Sequence, residues 1–462
     1  MTMAKNRVRR VRAFGPALAL GLTLALAPEA GAQTLADALS MAYTTNPTLA
    51  AARAELRAVN ERVPQALSNW RPSVTLTGSA GKQRIESEST FSTVKQTTSP
   101  TEARLSVIQP IFRGGRTLAD TQRSKLEVRA QRATLRSVEQ DVLLRAATSY
   151  MDVWRDQAVL KLNINNEKVL ERQLEASNDR FTVGEVTRTD VAQSETRLAV
   201  ATAGRISAKG DLSASKAVYE EIIGAGPGQL QAPPPLAELP GTVDLSVEQA
   251  IGQNPSVLAA NFIEQAAQKQ VRSVIGELLP SVQLNGTLRH AEETSQKRQE
   301  SDQAQILAEI TVPLYQQGLV YSRVREVKQI SSQRRIQVEE ARRRAVQEAI
   351  SAWEALQTAR AQIRSFETGV RSAEIALEGV TQENAVGART VLDILDAEQE
   401  LLDSKVNLVR SQRDEVVAGF ALLTATGRLN AREVGLTVEI YDPEIDYKRV
   451  KGKWIGIGAP GQ

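Results

Sequence analysis

The chain has no cysteine, one histidine and few aromatic residues, 4% of its 462. Without cysteine there is no disulfide framework, so an exported form must hold together by packing or assembly. The lone histidine, His290, stands in a polar stretch beside Glu292 and Glu293 with no second histidine or cysteine near it. That argues for a surface residue and against a structural metal or redox centre. The glycine-rich "GAGPG" at 224–228 lacks the Gly-x-Gly-x-x-Gly order and a following helix, which removes a dinucleotide cofactor. Beyond the N-terminus no run approaches 18 apolar residues, so no transmembrane helix is expected. Any membrane contact is left to a β-barrel or to the surface.

The first 32 residues read as a secretory signal. Lys5, Arg7, Arg9, Arg10 and Arg12 precede the apolar run "ALALGLTLALA", and Ala30-Gly31-Ala32 has the small-x-small form of a cleavage site. This leader holds five of the 57 basic and one of the 54 acidic side chains, which leaves 52 against 53 after removal. The basic balance therefore belongs to the signal, and a nucleic-acid partner has no basic footprint to bind.

Proline is also missing from 111–226 and from 314–442. These stretches are rich in Ala, Leu, Glu, Gln and Arg, all good helix formers. Val128, Leu135, Val138, Val142, Ala146, Tyr150 and Val153 recur at helical spacing. Some 60 such residues make a rod on the order of 90 Å, far beyond a globular helix, and the many alanines suit close side-by-side packing.

The two stretches are copies. Asn46-Pro47 recurs as Asn254-Pro255, and "RPSVTLTGS" (71–79) as "LPSVQLNGT" (279–287), both 208 residues later. At an offset of 203, Pro110 falls on Pro313, Gly115 on Gly318, Tyr150 on Trp353, Gly184 on Gly387 and Asp190 on Asp393. Ordered anchors at two consistent offsets define a first repeat at 33–223, a Pro/Gly-rich linker at 224–241, a second repeat at 242–430 and an extension at 431–462.

Between the opening helix and the long helix of each copy, apolar and polar residues alternate. Val74 and Leu76 stand against Ser73, Thr75 and Thr77; Leu105 and Val107 against Arg104 and Ser106; Val282 and Leu284 against Gln283 and Asn285; Ala308 and Ile310 against Glu309 and Thr311. These are period-2 strands, at roughly 72–81, 102–111, 280–289 and 305–315. The polar spans 82–101 and 289–303 between them read as solvent loops. Two explanations stay open. The strands are small hairpins on a helical body, or strands of several subunits close one shared barrel with apolar residues outward.

One motif remains. "VGEVTRTD" (183–190) and "VGARTVLD" (386–393) share Val-Gly-x-x-Thr-x-x-Asp. Thr187 with Asp190, and Thr390 with Asp393, have the spacing of a helix capping box, which accounts for one aspartate per copy. Asp396 is left over. It lies about 60° around the helix from Asp393 and one turn along, and Glu400 and Asp403 continue an acidic stripe that the first copy replaces with Gln193 and Arg197. Such a stripe is a solvated face, or, repeated around a symmetry axis, a carboxylate ring that binds cations. As a glycosidase pair the two acids are poorly placed, side by side on one helix, and no enzyme is expected.

The duplicated Asn-Pro segments, the "RPSVTLTG" and "LPSVQLNG" strand starts, the "QPIFRGG" and "VPLYQQG" exits and the "VGxxT" turns together resemble the TolC family of outer-membrane efflux and secretion channels over residues 35–430. That resemblance implies a mixed, mainly α fold. In it a homotrimer gives four strands per chain to a twelve-stranded transmembrane β-barrel, and the helices form a long coiled-coil tunnel in the periplasm. It also implies an exit duct for drug efflux or type I protein secretion, working with a periplasmic adaptor and an inner-membrane ABC or proton-driven exporter. By the same resemblance, Asp393 and Asp396 ring the periplasmic entrance, where blocking cations would bind, while Arg389, Thr189 and Asp190 tie the tip shut. Asn384 stands where the best-known member has a locking tyrosine. The turns around Val183, Gly184 and Thr187 and around Val386, Gly387 and Thr390 resemble adaptor-docking sites. The rival reading is an exported coiled-coil adaptor or structural protein without a channel. A single-chain porin would need more strands than the proline-free stretches leave room for.

Overall fold

The computed structural model describes residues 33–234 and 239–458, so the expected leader, 1–32, lies outside the described residues. Three helices, α1 (Leu35–Thr45), α2 (Pro47–Asn60) and α3 (Arg62–Ser68), lead into four strands: β1 (Ser73–Ala80), β2 (Gln83–Ser89), β3 (Ser92–Thr98) and β4 (Thr101–Arg113). Then come the long α4 (Arg116–Thr182) and α5 (Arg188–Ile223). The second half runs α6 (Val243–Gln253), α7 (Pro255–Ile275), β5 (Ser281–Glu292), β6 (Glu300–Thr311), α8 (Leu319–Ala385) and α9 (Val391–Ala425), and closes with α10 (Pro443–Val450). The long helices α4 and α8 have 67 residues each. At 1.5 Å per residue each is a rod of roughly 100 Å.

The opening helical segment of each copy is broken at Asn-Pro, and the structure gives the motif a purpose. Asn46 caps α2 by accepting from the Thr48 amide at 2.9 Å, while its Nδ2 donates to the Ile222 carbonyl, also at 2.9 Å. Asn254 repeats this with Ser256 at 2.9 Å and Ala425 at 3.0 Å. Each side chain thus starts one helix and satisfies a carbonyl at the end of its repeat's last helix, where orphan acceptors need partners. Proline at the first helical position costs no hydrogen bond.

The expected helical stripe is buried: Leu135, Val142, Ala146, Tyr150 and Val153 lie in the largest core cluster with Val138 packed against it, while Val128 packs with Val59 and Val63 in a smaller one. That core joins α1 and α2 to the middle of α4, the ends of α5 and α9, and Leu429, Ala431 and Leu436 of the C-terminal segment. The Tyr150 hydroxyl donates at 2.8 Å to the carbonyls of Gln33 and Gln231, sewing the first described residue to the linker.

β1, β4, β5 and β6 form one antiparallel sheet in that order, so the β4–β5 pairing joins the two halves of the chain. The register aligns Leu76, Leu105, Leu288 and Ala304 in one rung and Val74, Val107, Gly286 and Ile306 in the next. All four strands therefore turn most of their apolar residues to the same face. The irregularity between Pro110 and Phe112 lets Phe112 pair with Val282 and rejoin that face. The opposite face carries Ile108 and Leu307 in one rung but is otherwise mostly polar and internally bonded: Gln283 and Asn285 donate to Glu309 at 3.1 and 2.7 Å, and Arg289 reaches Glu102 at 2.8 Å. Nothing among the described residues covers the apolar face, where Leu76 is 74% and Ile306 82% exposed.

Two sequence expectations change here. The span 82–101, expected as a loop, holds the hairpin β2–β3, with Glu86 ion-paired to Lys95 directly across it. β6 covers Glu300–Thr311 where 305–315 was expected, and β5 runs on to Glu292, which places His290 in a strand, 2.7 Å from Asp302. A strand cannot continue through Pro313 without losing a ladder donor, whereas polar residues pair freely above the apolar band.

Where sheet meets helix the two halves touch backbone to backbone. A Cβ on Gly276 would sit 2.6 Å from the Gly114 carbonyl oxygen, and one on Gly114, at φ +63, would sit 2.2 Å from that of Gly276. Only glycine fits both positions. No helix among the described residues is long and apolar enough to cross a membrane.

Replacing Asn254 with alanine removes a buried donor and a helix cap together. The expected loss is about 1–3 kcal/mol, read as a lower thermal midpoint of the purified protein. A surface control such as Gln296→Ala should not move that midpoint, and an unchanged midpoint for Asn254→Ala would show that the Ala425 carbonyl has found another donor.

Candidate functional site: the helical tip

α4 turns into α5, and α8 into α9, by the same device. Gly184 and Gly387 have φ of +84° and +78°, the left-handed region that glycine enters without strain. In the first turn the Gly184 amide donates to Phe181 at 3.0 Å and Glu185 to Arg180 at 2.9 Å; in the second, Gly387 donates to Asn384 at 3.0 Å and Ala388 to Glu383 at 2.9 Å. Both turns close the last carbonyls of the long helix. Val183 and Val386 at these turns are 71% and 81% exposed, which leaves two apolar side chains bare at the extremity.

The next helix starts on a capping box. The Thr187 and Thr390 amides each donate at 2.8 Å to Asp190 and Asp393, and those aspartate amides donate back to the threonine hydroxyls at 3.3 Å. Hydrogen bonds from the Thr390 hydroxyl and then its amide hold the Asp393 carboxyl below the usual aspartate range, and Arg389 adds to the effect. Behind the caps Val391 and Leu395 pack on Leu170 and Ala201 of the first hairpin, with Val186 and Leu198 against them.

Charge then joins the hairpins. Asp396 forms an ion pair with Arg197 of α5. Asn384 accepts from Arg180 at 3.1 Å and donates to the Arg389 carbonyl at 2.8 Å, so it bridges the two turns. Arg389 is bound within its own hairpin, to Glu383 at 2.9 Å and Asp393 at 4.0 Å. Asp190 is engaged by Thr187, and Thr189 is exposed. Among the described residues of one chain, then, the structure brings Asp393 and Asp396 to one helix start but does not join Arg389 to Thr189 or Asp190. Sequence reasoning missed Arg180, Glu383 and the role of Arg197. The last had a signal: Arg197 stands where the second copy has Glu400, and an inverted charge at a duplicated position often marks a contact between the copies.

Asp393 ties pH to the second helix start. Its folded pKa is lowered, so its contribution is present above the ordinary aspartate range and is lost as pH falls through the lowered value. Amide exchange at 390–394, corrected for intrinsic rate, should therefore stay unchanged from pH 8 to about 5. Asp393→Ala should speed it throughout that window. Equal exchange in the two proteins would mean that packing of Val391 and Leu395 alone fixes the helix start.

Comparison with known proteins places this geometry. Residues 38–225 and 246–428 match the outer membrane efflux protein family, in two segments that leave out the linker. The outer membrane efflux protein BepC of Brucella suis is 34% identical over 445 residues, 96% of each chain. The outer membrane protein TolC of Escherichia coli is 25% identical over 424 residues, 87% of this chain and 84% of its own. The solved structure of the outer membrane protein VceC of Vibrio cholerae superposes with a TM-score of 0.74 at 20% identity, covering 85% of this chain and 96% of that one. The chain belongs to the outer membrane efflux protein family and is a channel protein of the outer membrane.

Proposed function

We propose that three copies of this chain close one barrel and one tunnel, forming a passive exit duct gated at its helical tip. The observation that carries this reading is the sheet. β1 and β6 each have one neighbour, and the apolar face runs unbroken from one to the other. In lipid every backbone donor and acceptor must be paired, so two open edges require partners. Pairing β6 of one copy with β1 of the next around a threefold axis gives twelve strands, with the Glu309 and Glu102 networks facing the lumen. Exposed Val200 and Ile206 on α5 and Ile336 and Ile375 on α8 supply apolar contacts for neighbouring helices. A coiled-coil adaptor has no use for a belt of this kind, and that counts against the rival reading.

The chain is one unit written twice, with the first repeat at 33–223 and the second at 242–430, and each repeat supplies one tip turn. The turns at Val183, Gly184 and Thr187 and at Val386, Gly387 and Thr390 are the docking points for a periplasmic adaptor, which links the duct to an inner-membrane ABC or proton-driven exporter. The similarity to efflux and secretion proteins supports cargo of either kind, small molecules or unfolded polypeptide. In the trimer Asp393 and Asp396 form two stacked carboxylate rings at the periplasmic entrance. Arg197 shares the charge of the Asp396 ring, and Arg389, released from Glu383, is the residue positioned to tie a neighbouring hairpin through Thr189 and Asp190.

Two measurements test this. Extracted in mild detergent, the protein should have the mass of a trimer, and a monomer or a barrel closed within one chain would refute the reading. In planar bilayers a trivalent cation added on the tip side should block current. Asp393→Ala with Asp396→Ala should abolish the block, whereas Arg197→Ala should strengthen it by leaving the Asp396 ring uncompensated. Equal block in all three proteins would place these acids outside the conduction path.

A further inference from the structure

The C-terminal segment leaves the last long helix and runs back along the outside of the body toward the sheet. The Tyr441 amide donates to the Tyr43 hydroxyl at 3.1 Å, and Arg53 lies over both rings, at 4.6 and 5.3 Å. Further on, α10 is fixed by an ion pair between Glu444 and Arg132, whose guanidinium lies 5.0 Å from the Tyr447 ring. The path ends at the base of the barrel strands. Arg71, two residues before β1, donates to the Lys453 carbonyl at 2.9 Å and stacks on the Trp454 ring at 4.5 Å.

What the segment brings there is a basic stretch followed by an apolar one. Lys448, Arg449 and Lys451 are exposed and Lys453 follows; beyond them Trp454 is 66% exposed, Ile455 90% and Ile457 fully. Three bare apolar side chains at a chain end would be unremarkable on a loose tail. Here the backbone is pinned by Arg71 to the point where the sheet begins. Trp70, Ile111 and Phe112, also exposed, stand at that same end of the sheet. The tail therefore continues the apolar belt of the sheet on the side that faces the helices.

We propose that residues 448–457 are a membrane-surface anchor, in which Trp454, Ile455 and Ile457 enter the periplasmic leaflet of the outer membrane beside the barrel and the exposed Lys448, Arg449 and Lys451 meet anionic lipid headgroups. Tryptophan is favoured at the boundary between hydrocarbon and water, and lysines beside an inserted apolar segment gain from anionic lipid. Charge and position agree on this occupant: a protein partner would not need the apolar residues level with the start of β1. The anchor rests on the reading that the sheet crosses the membrane, and it adds a second attachment outside the barrel wall. By holding α10 on α2 and α4, it would set the tilt of the helical body relative to the bilayer.

The test uses the full chain in nanodiscs of phosphatidylethanolamine and phosphatidylglycerol whose acyl chains are brominated near the headgroup. The sequence has four tryptophans. Trp154 and Trp353 pack in the helical body, so Trp70→Phe leaves Trp454 as the reporter at the interface. Brominated lipid should quench the emission of Trp70→Phe, and adding Trp454→Phe should remove the bromine-dependent loss. Replacing Lys448, Arg449 and Lys451 with glutamine should reduce the quenching, most in discs rich in phosphatidylglycerol. Emission from Trp70→Phe that is the same in brominated and plain discs would overturn the anchor; if acrylamide also failed to reach Trp454, the cover would be protein. Leu76→Trp, in mid-belt and in the Trp70→Phe, Trp454→Phe background, is the control, measured in discs brominated deeper in the acyl chain. If it is quenched while Trp454 is not, the anchor fails alone; if neither is quenched, the barrel reading fails with it.

Discussion

Backbone hydrogen bonding in hydrocarbon is the constraint on which the rest of this structure depends. A strand edge in lipid has no water to satisfy it, and each unpaired group costs several kcal/mol. The chain builds four strands with one apolar face and stops, leaving β1 and β6 as edges. Two of the four come from each half, and the β4–β5 pairing places the halves side by side. β4 leaves and β5 is approached through glycine at the base, where the Gly114 and Gly276 backbones press together and fix the start of α4 against the end of α7. The tunnel thus inherits its registry from the sheet. A long helix has little registry of its own, since any slide along its axis by one turn presents a similar face.

Duplication and divergence divide the remaining work. What the copies share is local geometry: Asn-Pro caps that reach the end of the same repeat, left-handed glycines at the turns, Thr-x-x-Asp boxes at the restarts. These residues specify one helical hairpin whatever its surroundings. What the copies do not share is charge. The acidic stripe of α9 meets an α5 whose matching position is Arg197, and the two pair across the hairpins. An unmodified copy would have set acid against acid there. Identity makes the two hairpins; difference makes them fit each other.

How much of this was legible follows from the same division. The long helices were plain because absent proline and buried spacing at 3.6 residues are local signals, and Tyr150 and Val153 land in the core as their spacing implied. The four strands of the sheet were plain because one face meets an apolar surround and the other a polar one. β2 and β3 were not, since a strand pair with solvent on both faces has no alternation to read and relies on pairs such as Glu86 with Lys95. Asn46 and Asn254 stood out as markers, but their bonds to Ile222 and Ala425 join residues some 170 positions apart, which no spacing rule reaches. The same is true of Asn384, whose neighbour Arg180 belongs to the other turn.

Stability is graded along the tunnel in a way that suits a duct opened from one end. Near the linker the core is continuous: Tyr150, Tyr219 and Phe420 are almost wholly buried among α1, α4, α5 and α9. At the tip a small cluster around Leu170, Ala201, Val391 and Leu395 remains, and the ties between hairpins among the described residues are one exposed ion pair and one bridging amide. Exposed pairs are worth about 0–1 kcal/mol each and weaken with salt. Moving the hairpins apart at the tip therefore forfeits little, while the same movement nearer the barrel would break a packed core. The capping boxes are local to each helix start, so they do not depend on the contacts between hairpins.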